Sequence, residues 1–142
     1  MNKISPNLMV DDIKETVKFY KDVLGFELVM AVPSEQQQVM TELQEQIDYD
    51  YALVKKGNVE IMFQERNSLV GDIPGFSSSM ALGGSMTLYF ETDSIDSYFS
   101  KIKDKVSVVK GPLKTWYGRN EFYISDNNGY ILGFSDNVTD TP

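Results

Sequence analysis

The chain has 142 residues, with 13 Lys+Arg against 21 Asp+Glu and a net charge of −8. It contains neither cysteine nor histidine. That excludes disulfides, thiolate nucleophiles, Cys/His zinc sites and every mechanism that needs an imidazole base. The acidic balance argues against nucleic acid as a partner and fits a cationic one. No apolar run approaches the roughly 18 residues of a membrane span, so no membrane partner is expected. Residues Met1 to Pro6 lack the basic and apolar regions of a signal peptide, which predicts a cytoplasmic location.

Ile4 to Val10 reads as the first strand. Asp12, with Glu15 three positions on, resembles a capping box. Ile13, Val17, Tyr20 and Leu24 then recur at helical spacing, so a helix is predicted over Asp12 to Leu24, with Gly25 as its stop. Phe26 to Val32 reads as a strand ended by Pro33. Residues 34–48 are polar and glutamine-rich, either a loop or a short helix carrying Val39, Leu43 and Ile47. Tyr49 to Val54 and Val59 to Glu65 flank a Lys-Lys-Gly-Asn turn and predict a β-hairpin. Arg66 to Gly84, rich in glycine and serine, reads as a loop.

The pattern then restarts. Met86 to Thr92 is a predicted strand, and Ile95, Tyr98, Phe99 and Ile102 form the apolar stripe of a helix that starts near Asp93. Val106 to Val109 is a short strand. Glu121 to Ser125 and Tyr130 to Ser135 make a second hairpin, and the tail from Asn137 to Pro142 reads as frayed. At an offset of about 82 positions, Asp11 falls on Asp93, Ile13 on Ile95, Lys21 on Lys103 and Asp22 on Asp104. The expected organisation is a single domain of two pseudo-repeated modules, 1–66 and 85–136, joined by a linker at 67–84, with a tail at 137–142.

Side chains alternate across a strand, so each module should present one apolar sheet face to its helix. The opposite face carries Ser5, Asn7 and Met9, then Glu60, Met62 and Gln64, then Thr87, Tyr89 and Glu91, then Ile131, Gly133 and Ser135. It is either simply solvated or the lining of a concave ligand cup. Its shortage of lysine and arginine, and its adaptable Met9, Met62 and Tyr89, favour the cup.

Residues 5–13 (Ser-Pro-Asn-Leu-Met-Val-Asp-Asp-Ile), with Phe19-Tyr20 and Val23-Leu24-Gly25-Phe26, resemble the opening of the vicinal oxygen chelate superfamily. That superfamily contains glyoxalase I, bleomycin and fosfomycin resistance proteins and extradiol dioxygenases. Residues 117–122, followed by Asp126-Asn127-Asn128-Gly129, resemble its closing W-G-R-E-F … D-P-D-G signature; Asn120 is an extra residue and Asn127 replaces the proline. The resemblance implies an α+β fold of two βαβββ modules that form a partly open, eight-stranded, barrel-like cup. It places the family's metal ligands at Ser5, Glu60, Thr87 and Gly133. Only Glu60 among them offers a carboxylate, a poor transition-metal set, so no metal and no cofactor is expected. The chain is then closest in features to the metal-free bleomycin resistance branch. Pro6 matches a proline that supports strand exchange between two subunits in that branch; it is equally a proline tolerated at a strand start.

Trp116, the only tryptophan, lies beside Tyr117 in a Gly/Pro-bordered segment suited to stacking on a planar or cationic group, or to a dimer contact. Asn7, Glu60, Met62, Tyr89, Glu91, Trp116 and Tyr117 are the expected ligand contacts, with Tyr49, Tyr51 and Phe76 as softer candidates. Arg119 is expected to brace its loop. The first function these features suggest is a homodimeric, non-catalytic protein that sequesters a cationic or aromatic molecule, such as a bleomycin-like antibiotic, in a dimer-interface cleft. The alternative is a lyase, isomerase or dioxygenase-like enzyme on a small carbonyl compound, with Glu60 or Glu91 as acid–base and Tyr89 as proton donor. A pure interaction module is the third reading.

Overall fold

A computed structural model describes residues 1–136; the expected frayed tail lies outside the described residues. The contacts divide the chain into two compact units, Met1–Leu82 and Gly83–Pro142. Each carries a four-stranded mixed sheet of the same plan.

In the first unit the strands are β1 (Asn7–Val10), β2 (Glu27–Pro33), β3 (Tyr49–Lys56) and β4 (Val59–Glu65), in the order β1-β4-β3-β2. β1 runs parallel to β4, and the other neighbours are antiparallel. Helix α1 (Ile13–Lys18) opens where expected, because the Asp12 carboxylate accepts the Glu15 backbone N–H at 3.0 Å. The predicted helix to Leu24 does not stay α-helical. Over Phe19–Val23 it widens into a π-turn, with the Leu24 N–H reaching back to the Phe19 carbonyl. The wider turn keeps Tyr20 fully buried, its ring 4.8 Å from Phe63 and 5.6 Å from Phe26. Val10, Ile13, Val17, Leu24, Val54 and Ile61 complete this core. Each such buried side chain contributes about 1.5–3 kcal/mol of apolar burial.

Residues 34–48 are mostly irregular, with Met40 forming one antiparallel bridge to Ala31. Tyr49, one of the softer ligand candidates, is a core residue whose hydroxyl accepts the Gln44 N–H at 2.8 Å. The segment after β4 departs from its reading as a loop, since Arg66–Asp72 forms helix α2. Its cap is Glu65, whose carboxylate accepts the Ser68 N–H at 3.0 Å, and Leu69 is its one buried anchor. A single apolar residue leaves no periodic stripe to read.

In the second unit the strands are β5 (Thr87–Thr92), β6 (Ser107–Lys114), β7 (Asn120–Ser125) and β8 (Ile131–Asp136), ordered β5-β8-β7-β6. Helix α3 (Ile95–Ile102) begins at Ser94, as the repeat predicts from Asp12 in the first unit. Its first N–H is satisfied from a distance: the Asp136 carboxylate accepts it from Ile95 at 2.6 Å. Phe122 stacks on Phe134 at 5.1 Å and meets the edge of Phe99 at 5.0 Å. Ile95, Ile102, Ile124 and Leu132 fill the remaining core.

β6 runs past the expected end at Val109, through Gly111 and Pro112 to Lys114. It is an edge strand, where a proline without an N–H is tolerated, and its register shifts on both sides of Lys110 absorb the irregularity. Gly111 sits at φ 84°, and a Cβ there would lie 2.7 Å from the Glu121 carbonyl oxygen. The architecture is the expected α+β pair of βαβββ units. The eight strands hydrogen-bond as two separate sets of four.

Candidate functional site

Register places Asn7, Glu60 and Met62 on one face of the first sheet, and Tyr89 and Glu91 on one face of the second. In the first unit Asn7 pairs with Met62, and Met9 with Gln64. Glu60 lies two positions along β4 from Met62, opposite Lys55. The Asn7 amide N–H donates to Gln64 Oε1 at 3.0 Å, and Gln64 Nε2 donates to Ser68 Oγ at 3.1 Å and Asp72 Oδ2 at 3.3 Å. This chain of donors has a fixed polarity. A carboxylate only accepts, so Gln64 must turn its amide nitrogen to Asp72 and its oxygen to Asn7. Glu60 is bound by Lys3, and that hydrogen bond holds its carboxyl below the usual carboxylate range. Tyr51, on the neighbouring strand, is pushed up by burial and by the Glu60 charge.

The second unit brings its residues together more tightly. Tyr89 and Glu91 on β5 flank Gly133 and Ser135 on β8, which pair in turn with Tyr123 and Glu121 on β7. Glu121 is only 2% exposed. The Tyr89 hydroxyl donates to its Oε2 at 2.6 Å, and the Tyr117 hydroxyl lies 3.4 Å from both oxygens. Burial and the adjacent Glu121 push the Tyr89 and Tyr123 phenols up, so both remain protonated donors. Among the described residues, no lysine or arginine forms an ion pair with Glu121.

Arg119 braces the loop, as expected. Its N–H bonds Thr115 Oγ1 at 2.9 Å, while its guanidinium reaches Ser135 Oγ at 2.7 Å and Glu91 Oε1 at 3.2 Å. Glu91 is therefore engaged by a cation. Trp116 and Tyr117 occupy the turn between β6 and β7, closed by Thr115 N–H to the Arg119 carbonyl at 2.7 Å. The two rings meet edge to face at 5.2 Å, with Trp116 95% exposed and Tyr117 51% exposed.

Glu121 was not among the residues the sequence singled out. The signal was present in the alternation of β7: Glu121 shares a face with Tyr123, opposite the buried Phe122 and Ile124. A lone acidic residue at a strand start reads as solvated, however, and only the tyrosines from β5 and the turn bury it.

The four positions where the resemblance puts metal ligands do not fit a transition-metal ion. Glu60 is held by Lys3. Gly133 has no donor, and the space above its Cα is filled by the Tyr123 and Tyr89 rings. Ser5 and Thr87 add hydroxyls alone, a set too hard and too weakly charged. Among the described residues no three acidic side chains converge as a metal group.

The sequence profile of the Glyoxalase/Bleomycin resistance protein/Dioxygenase superfamily matches residues 3–134. The chain belongs to this superfamily. Solved structures agree on the fold. A protein of unknown function from Agrobacterium tumefaciens superposes with a TM-score of 0.73 at 24% identity, over 97% of this chain and 95% of that one. A virulence protein from Salmonella typhimurium gives 0.65 at 26% identity, over 97% and 98%. A superfamily member from Sphaerobacter thermophilus gives 0.70 at 16% identity, over 96% and 98%. No curated protein matches. Among the described residues, no helix is long and apolar enough to cross a membrane.

Proposed function

We propose that the protein is a metal-independent binding protein that sequesters a cationic or aromatic small molecule, of which a bleomycin-like antibiotic is one example. The observation that carries this reading is the Trp116–Tyr117 pair. An indole 95% exposed on a hydrogen-bonded turn is held out of the core at a cost in apolar exposure. Rigid aromatic rings so presented supply large contact area with little conformational entropy to lose. The enzyme alternative is weakened because both of its carboxylates are occupied, Glu60 by Lys3 and Glu91 by Arg119. For Glu60, the hydrogen bond from Lys3 holds the carboxyl below the usual carboxylate range, which makes it a weaker base.

The assembly that goes with this reading is a homodimer with the ligand at the subunit interface. Its support is β5, an edge strand, with Tyr89 on it and Met86 just before it partly open to solvent. Trp116 is the sole tryptophan, so its fluorescence reports the site directly. Titration with bleomycin-type and other cationic aromatic compounds should give saturable quenching. A flat response across that panel would overturn the binding reading. Light scattering should give twice the monomer mass; a monomer at every concentration would remove the interface cleft.

A further inference from the structure

We infer that the Glu121 carboxylate, bonded by Tyr89 and flanked by the Tyr117 hydroxyl, is the recognition point for an ammonium group carried by an aromatic ligand. This deepens the binding reading above and rests on it. A buried carboxylate is costly unless its lone pairs are met, and a cationic partner is the strongest way to meet them. Here phenols stand where that cation would be. Tyr89 makes a short bond at 2.6 Å, but Tyr117 stands 3.4 Å from both oxygens, at the limit of a hydrogen bond. An N–H donor that enters beside Tyr117 therefore replaces a weak contact with a charge-assisted one, and leaves the Tyr89 bond in place.

The surroundings suit a cation. Tyr89 and Tyr117 turn their hydroxyls to the carboxylate, Trp116 meets the Tyr117 ring edge to face at 5.2 Å, and aromatic ring faces attract ammonium groups. The same sheet face already holds one such contact, with Lys110 Nζ 5.8 Å from the centroid of the Tyr123 ring. Arg119, the nearest guanidinium in this network, is bonded to Glu91 and Ser135 and leaves the Glu121 charge unpaired. Tyr117 and the adjoining Trp116 are both open to solvent.

The test uses three probes of one shape, benzylammonium, benzyltrimethylammonium and benzyl alcohol, read by Trp116 fluorescence at neutral pH. Benzylammonium should bind at least ten-fold more tightly than benzyl alcohol, with benzyltrimethylammonium between them, because it carries the charge without N–H donors. Glu121→Gln keeps the side-chain size and a carbonyl for Tyr89; it should bring the benzylammonium and benzyl alcohol affinities within about two-fold of each other. Tyr117→Phe should do the opposite, tightening benzylammonium about two-fold by removing the competing hydroxyl. This second variant serves if Glu121→Gln fails to fold. Equal affinity for benzylammonium and the alcohol, or a preference that survives Glu121→Gln, overturns the ammonium inference. So does a Tyr117→Phe variant that loses the preference. Saturable binding by the bleomycin-type panel in any of those cases leaves the binding reading standing, so the two failures are distinguishable.

Discussion

Gly133 offers the sharpest test of how the second sheet is built. It occupies a central strand, paired with Tyr89 on one side and Tyr123 on the other. Its backbone does not need glycine, since its φ lies outside the left-handed region. The constraint is space alone. A Cβ there would lie 2.5 Å from Tyr123 Cε2, 2.9 Å from Tyr123 Cδ2 and 3.0 Å from Tyr89 Cδ1. Gly133→Ala must therefore displace both rings. Overpacking of this kind costs about 1–3 kcal/mol, and at a urea slope of about 2 kcal/mol/M a loss of 2 kcal/mol lowers the midpoint by about 1 M. Because Tyr89 also carries the 2.6 Å bond to Glu121, the near-ultraviolet circular dichroism of the tyrosines should change as well. A double-mutant cycle isolates the cause. In a Tyr123→Ala background the two shortest contacts vanish, and Gly133→Ala should then cost under about 0.5 kcal/mol, the level expected without a clash. An alanine that costs the same in both backgrounds, or that alters neither midpoint nor spectrum, would refute the steric argument.

Other measurements bear on the remaining elements. Trp116→Ala should change stability by no more than about 0.5 kcal/mol in urea unfolding, since the ring is exposed, yet abolish binding of the bleomycin-type panel measured calorimetrically; retained binding would place the ligand elsewhere. Glu65→Ala removes the carboxylate that caps α2 and should cost about 1 kcal/mol of stability; an unchanged urea midpoint would show that Leu69 anchors the helix alone. Burial pushes the Tyr98 phenol up to about 12, against about 10 in an unfolded chain. The unfolded chain therefore loses this proton first as pH rises. The contribution is fully present below pH 10 and drains between about pH 10 and 12, by on the order of 2–3 kcal/mol. Tyr98→Phe should flatten this part of the wild-type stability curve, and matching alkaline slopes for the two proteins would disprove it.

The sequence by itself determined the elements whose information is local. The alternation of Val59, Ile61 and Phe63, the stripe of Ile13, Val17 and Tyr20, and the capping Asp12 each act within a few residues, so period and cap suffice to place them. The offset that carries Asp12 onto Ser94 fixed the two matching units in the same way. The superfamily was legible in the opening and closing segments, and the profile match spans nearly the chain.

Tertiary structure decided what depends on partners distant in sequence. Helix α2 has one buried anchor and a cap borrowed from the preceding strand, too little pattern for a periodic reading. β6 continues through a proline because it lies at an edge. Glu60 and Glu91 acquire cationic neighbours, Lys3 and Arg119, from 57 and 28 positions away. Glu121 gained its place for the same reason: strand pairing and the β6–β7 turn bring Tyr89 and Tyr117 over it, from 32 and 4 positions away. Burial of a polar group is a property of what folds onto it, and no window of the chain contains that information.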